Sequence, residues 1–220
     1  MFVGHLATAF GVKRAAPRVP LGALVAAAFG LDLLWPVLLL SGLERVRVEP
    51  GNTAFTPLAF DHYPWSHSLL MATVWSTLAG IAAARWLRNR PAGVAVGATV
   101  GSHWVLDLVT HRPDLPLWPG GPVWGLGLWQ SIPGTIVVEG LLLVVGIELY
   151  RRGFRDRDAT GRWTLFGLVA FTGVIWVSGP WSPPPPSAEA IAVVALALWL
   201  LPLWATWIER HRTERAPGVR

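Results

Sequence analysis

Six apolar stretches divide the chain: Leu21 to Leu43, His67 to Arg85, Ala92 to His111, Ser131 to Tyr150, Trp163 to Gly179 and Ala188 to Ile208. Each is close to the ~20 residues a helix needs to cross a ~30 Å hydrocarbon core. Pro and Gly punctuate the gaps, in "RNRP", "RPDLPLWPGGP" and "SPPPP". A seventh apolar run, Phe2 to Val12, is too short to span alone, and the sequence leaves open whether it dips into the bilayer or lies along it. The pattern predicts an all-α fold, a polytopic transmembrane helical bundle of about six spanning helices plus a short N-terminal helix. It reads as one membrane domain over residues 1–220, with polar positions concentrated in 1–150 and two plainer spans and a tail in 151–220.

Polar residues interrupt the apolar runs at particular places. In "SHWVLDLVTH", His103, Asp107 and His111 stand at i, i+4 and i+8, one stripe along a helix. At 1.5 Å per residue, His103 lies ~12 Å and Asp107 ~6 Å below His111, at the outer end of the third span. By the same arithmetic Asp32 in "FGLDLLWP" lies ~16 Å and Glu139 in "VVEGLLL" ~12 Å inside the first and fourth spans. His5 reaches a similar depth if the first helix enters the membrane from Lys13. In "DHYPWSHSLL", Pro64 sets a turn, Ser66 is a candidate N-cap, and His67 opens the second span, with Asp61 and His62 just before it. A separate feature of the third span, Gly93, Gly97 and Gly101 at four-residue spacing, predicts a small-residue face on which another helix packs closely.

Composition agrees with a membrane protein: 53% of the 220 residues are hydrophobic and 14% charged, against about 25% charged in soluble domains, and the mean hydropathy is +0.46. The net charge of +5 comes from Lys and Arg at the ends of the apolar runs, without a basic stripe or nucleic-acid motif, so no nucleic-acid partner is expected. Fifteen basic residues, at Lys13 to Arg18, Arg85 to Arg90, Arg151 to Arg162 and Arg210 to Arg220, fall on one side of the alternating spans, and Arg45, Arg47 and Arg112 on the other. The positive-inside rule then places the fifteen and the C-terminus in the cytoplasm. The opening "MFVGHLATAFGVKRAAP" carries its charges after the apolar run and does not read as a cleavable signal. Tryptophans such as Trp65, Trp118, Trp124 and Trp129 read as interfacial anchors, and Glu148 as an ion-pair partner for Arg151 or Arg152.

An ionisable side chain within a span costs ~2.5–3.5 kcal/mol on insertion scales and marks a functional site by default. With no cysteine, disulfides, thiolate chemistry and Cys-ligated metal are excluded. Imidazole and carboxylate remain, the donor set for a divalent metal, with zinc the first expectation and manganese or iron the others. The expected ligands are His5, Asp32, His67, His103, Asp107 and His111, with Asp107 and Glu139 in catalytic roles. A metal in such a site acidifies water toward pKa ~7, and Glu139 would act as general base. Glu139 can instead be a structural acid, and a His–Asp pair can satisfy itself.

The stretches "GHLATAFGVKRAAP", "FGLDLLWPVLLL", "FTPLAFDHYPWSHSLL", "GSHWVLDLVTHRPDLPLWP" and "GLWQSIPGTIVVE" together resemble a bacterial family of small multi-span membrane proteins over about residues 1–150. More distantly, the N-terminal His, mid-helix Asp, "HS" and "H…D…T" pattern is similar to the LexA-regulated inner-membrane metal-dependent hydrolases. That resemblance implies a metal site of His5, Asp32, His67, His103 and Asp107. The sequence departs from the hydrolase pattern at "DHYPWSHS", where a His-Arg-Gly, an apolar residue and Thr-His-Ser usually stand, which leaves His62 without a carried-over role. The leading expectation is an inner-membrane hydrolase of an ester or phosphoester, its substrate a small molecule or a lipid, with the Trp-rich segment from Arg112 to Gln130 covering the site. The alternatives are an ion- or proton-coupled permease using the same midplane His and Asp residues, against which stands the lack of a clear inverted repeat, and a non-catalytic scaffold. Oligomeric state is not legible.

Overall fold

In a computed structural model that describes residues 1–215, the chain forms α1 (Val3–Ala15), α2 (Leu21–Ala28), α3 (Gly30–Leu40), a ribbon of β1 (Arg45–Val48) and β2 (Leu58–His62), then the single turn α4 (Pro64–His67). It continues with α5 (Leu69–Trp86), α6 (Arg90–Thr110), a ribbon of β3 (Leu115–Pro116) and β4 (Val123–Trp124), α7 (Ile132–Gly153), β5 (Phe154–Asp156), α8 (Ala159–Ser178), α9 (Ala188–Ala195), α10 (Leu200–Arg210) and β6 (Arg212–Glu214), which pairs with β5. Among the described residues, five helical segments are long and apolar enough to cross a membrane, or six when α2 and α3 count as one span, bent by 54°. Arg220, one of the fifteen basic residues, lies outside the described residues.

α1 enters the bundle. Val3, Leu6, Ala9 and Phe10 have no exposed surface, and α1 packs along α7, where Gly146 lets the Ala7 backbone come near; a Cβ at Gly146 would stand 2.5 Å from the Ala7 carbonyl oxygen. At its basic end the Lys13 ammonium pairs with Glu209 of α10 and donates to the carbonyls of Pro17 and Val19 at 2.8 Å. A buried lysine is tolerated because each of its protons finds an acceptor.

The small-residue face of α6 does what its spacing predicts. A Cβ at Gly93 would lie 2.5 Å from the Gly80 carbonyl oxygen, and one at Gly97 2.9 Å from that of Ser76, so α5 and α6 touch backbone to backbone.

Two expected boundaries move. The first span is not one helix from Leu21 to Leu43 but breaks at Phe29. The second begins at Leu69 rather than His67, and its N-cap is Ser68, whose hydroxyl accepts from the Met71 N–H at 3.2 Å. Ser66 is thereby free for another task.

Candidate metal centre

Three imidazoles and two carboxylates from four helices meet inside the bundle. His103 and Asp107 come from adjacent turns of α6, His5 from α1, Asp32 from the first turn of α3 and His67 from α4. His103, Asp107, His67 and His5 are buried, and Asp32 is the one member with substantial exposure, at 22% of its side chain.

The bend in the first span supplies the first constraint. Ala28 ends α2, where a helix leaves carbonyls without an intrahelical partner. The His103 Nδ1–H donates to that carbonyl at 2.8 Å. The proton is thus held on Nδ1, and the lone pair of Nε2 points to the carboxylates, a tautomer set by an outer partner as in known metal-ligating histidines. Nε2 of His103 is buried without a hydrogen-bond partner, although it lies 3.1 Å from Asp107 Oδ2 and 3.7 Å from Asp32 Oδ1.

His67 is held the same way by residues that its own motif only half reveals. The buried Glu44 carboxylate accepts from the backbone N–H groups of Trp65 and Ser66, at 2.9 and 2.8 Å, and from the Ser66 hydroxyl at 2.7 Å. Because Ser66 spends its proton on Glu44, its oxygen accepts from His67 Nδ1–H at 2.6 Å. His67 Nε2 then faces Asp32 Oδ1 at 3.4 Å and Asp107 Oδ2 at 3.8 Å.

These separations fit a metal ion. Donors 2.0–2.2 Å from a tetrahedral centre stand ~3.3–3.6 Å apart by geometry alone. The four His–Asp separations among Asp32, His67, His103 and Asp107 Oδ2 run from 3.1 to 3.8 Å. His5 completes a second grouping with His103 and Asp107, all donor atoms within 4.8 Å. Its Nε2 is 3.1 Å from the other carboxylate oxygen, Asp107 Oδ1, and its ring stacks on His103 at 3.7 Å and 6°. The Met1 amine also pairs with Asp107 Oδ1.

Glu139 adjoins the cluster. Its Oε2 accepts from the N–H of Phe2 at 2.9 Å and of Gly4 at 3.4 Å, closing the first turn of α1, while Oε1 is buried and has no partner. Met1 and Phe2 therefore bridge the Asp107 and Glu139 carboxylates.

The structure does not bring His111 into either grouping. Its Nδ1 faces Asp114 Oδ1 at 2.9 Å and the Tyr63 hydroxyl at 3.2 Å, and its ring packs on Trp129. Burial and the Asp114 carboxylate push the Tyr63 phenol well above its ordinary range, so it stays a donor. The expected stripe therefore splits after Asp107: α6 ends at Thr110 and His111 leaves the helical path. Asp61 binds Arg47 on the β1–β2 ribbon at 2.5 and 3.0 Å, and Glu148 binds Arg152 at 2.9 Å as an interfacial pair.

A model of the YdjM inner membrane protein family matches residues 1–182, from α1 through the end of α8. The chain belongs to the YdjM inner membrane protein family. The match takes in every residue of the cluster together with Glu44 and Ser66, and with the apolar helices it makes this a membrane protein. No curated protein and no solved structure matches the chain.

Proposed function

We propose that this protein is a metal-dependent hydrolase of an ester or phosphoester, embedded in the bacterial inner membrane with its basic loops and C-terminus in the cytoplasm. One observation carries the reading: two histidines whose Nδ1 protons are fixed by partners outside the cluster turn their Nε2 lone pairs onto the same two carboxylates. Metal-ligating histidines characteristically donate the ring N–H opposite the metal to such an outer partner.

Asp32, His67, His103 and Asp107 would hold the ion, with His5 fixing the second oxygen of Asp107 and stacking on His103. A bound zinc, manganese or iron ion would supply Lewis acidity toward the ester or phosphoester and would acidify water. Asp32, the exposed member, marks the edge where substrate and water would enter. Glu139 holds α1 through Oε2 and takes up a proton at its free Oε1. Trp129, packed against His111, closes the same end of the bundle.

The test is turnover of a panel of carboxylic esters and phosphodiesters by purified protein. Activity that disappears with chelator, returns with metal and is absent from a folded Asp107→Ala variant supports the reading; full activity in that variant overturns it. A permease has in its favour the burial of the cluster within the bundle. It predicts instead no turnover and proteoliposome uptake that His103→Ala abolishes.

A further inference from the structure

At the end of the bundle opposite His111, three arginines from distant parts of the chain meet on the last turn of α7. That helix has 22 residues and so runs ~33 Å, the depth of a hydrocarbon core, which puts Gly153 at a membrane surface. Glu139 lies ~21 Å back along it, so this corner is separate from the histidine cluster. Arg14, in the last turn of α1, lays its stem across Gly153, where an added Cβ would stand 2.6 Å from Arg14 Cδ. Arg215, just past β6, donates its backbone N–H to the Gly153 carbonyl at 2.8 Å and its Nε–H to the Arg151 carbonyl at 3.2 Å. A helix C-terminus leaves carbonyls unpaired and carries partial negative charge, which draws a guanidinium there. With Nε spent inward, the Nη edge of Arg215 has no partner among the described residues, and a guanidinium fork of this kind takes phosphate in bidentate fashion.

The protein's own acids do not neutralise this corner. Glu148, Asp156, Asp158 and Glu209 are taken by Arg152, Arg212, His211 and Lys13. Among the described residues that leaves Glu214, outside any ion pair, against Arg14, Arg151, Arg155, Arg157 and Arg215. Beneath the surface the imbalance repeats: the Tyr150 hydroxyl and Arg212 Nε are buried without an acceptor, the Arg212 guanidinium 5.1 Å above the Tyr150 ring. We propose that Arg14 and Arg215, with Arg151 beside them, bind the phosphate of an anionic phospholipid of the phosphatidylglycerol kind from the leaflet at this end. Orientation in the membrane requires only that basic residues lie on one side. It does not require residues 14, 151 and 215 to be gathered on one helix end with the stem of Arg14 and the Nε of Arg215 held there. Basic pockets between spans at a membrane surface are where anionic headgroups bind. The charges of Arg151 and Arg155 repel a choline or ethanolamine ammonium, which selects a headgroup with no cation of its own. Neither a metal nor a hydrolytic step enters this proposal, so it stands apart from the function proposed above.

The experiment is native mass spectrometry of the full chain released from nanodiscs of phosphatidylglycerol and phosphatidylcholine, counting each retained lipid. Wild type retains one phosphatidylglycerol per chain in preference to phosphatidylcholine. An Arg14→Gln, Arg215→Gln double variant, changed at two exposed side chains, keeps its unfolding temperature and binds phosphatidylglycerol about thirtyfold more weakly, or ~2 kcal/mol. Arg85→Gln with Arg90→Gln removes the same charge from the same end of the bundle, at the α5–α6 turn, and leaves retention unchanged. Gly153→Ala removes no charge but pushes the Arg14 stem aside, and it lowers retention as well. Wild type released without phosphatidylglycerol overturns the proposal, as does equal loss in the two arginine double variants, which would make the charge a diffuse topology signal. Titration of inorganic phosphate into protein in phosphatidylcholine nanodiscs separates the two sources of the group. Saturable, Arg14-dependent phosphate binding with no lipid retained would give the site to soluble phosphate and overturn the lipid assignment.

Discussion

Ser66→Ala tests whether the histidines are held for a metal. The Ser66 side chain is buried, donates to Glu44 at 2.7 Å and accepts from His67 Nδ1 at 2.6 Å. Its loss leaves the imidazole N–H without a partner in a dry site, a cost of ~1–3 kcal/mol. In the metal-free protein His67 relieves that cost by turning its ring, and in the bound protein it cannot, so the cost falls on metal affinity. The expected loss is ~10–100-fold, about 1.4–2.8 kcal/mol, the range seen when the outer partner of a ligating histidine is removed. The assay is chelator competition for metal on purified protein, with size-exclusion and thermal unfolding as folding controls. Glu44 keeps its two backbone donors in the variant, so α4 remains in place. In a His67→Ala background the Ser66→Ala change should have no further effect on affinity, because the hydroxyl acts only through that ring. Wild-type affinity in Ser66→Ala, or an equal loss with and without His67, would refute the reasoning.

Glu139→Gln keeps an oxygen to accept from Phe2 and Gly4, so fold and metal content persist, while turnover falls ~10²–10⁴-fold if Oε1 takes up a proton; unchanged turnover would reduce Glu139 to a helix cap. Gly93→Val drives a branched side chain into the Gly80 carbonyl and Ala84, and overpacking of this kind costs ~1–3 kcal/mol. Its unfolding temperature in detergent should therefore drop, and an unchanged value would mean that α5 and α6 do not touch as described.

Much of the candidate centre is legible in the sequence. His103 and Asp107 are one helical turn apart, and that spacing alone puts them on one face. His5, Asp32 and His67 were found because an ionisable group in an apolar run is costly enough to need a reason. His111 belonged to the same periodic stripe, and the stripe overreached because periodicity does not show where a helix stops; α6 ends one residue earlier and Asp114 and Tyr63 take the ring. The break at Phe29 is hidden in an unbroken apolar run, since what makes it useful is a long-range bond that His103 donates to the Ala28 carbonyl. Glu44 was invisible for a similar reason. Glu44 stands in the charged run "SGLERVRVE" with nothing local to mark it, and only the fold brings it to Ser66, twenty-two residues on.

The most direct test of the central claim is the metal content of detergent-purified protein by elemental mass spectrometry, wild type beside a His103→Ala, Asp107→Ala double variant. The account predicts about one or two equivalents of zinc, manganese or iron in the wild type, lost in the variant. Folded wild-type protein that holds no metal, and takes up none when it is supplied, would contradict it.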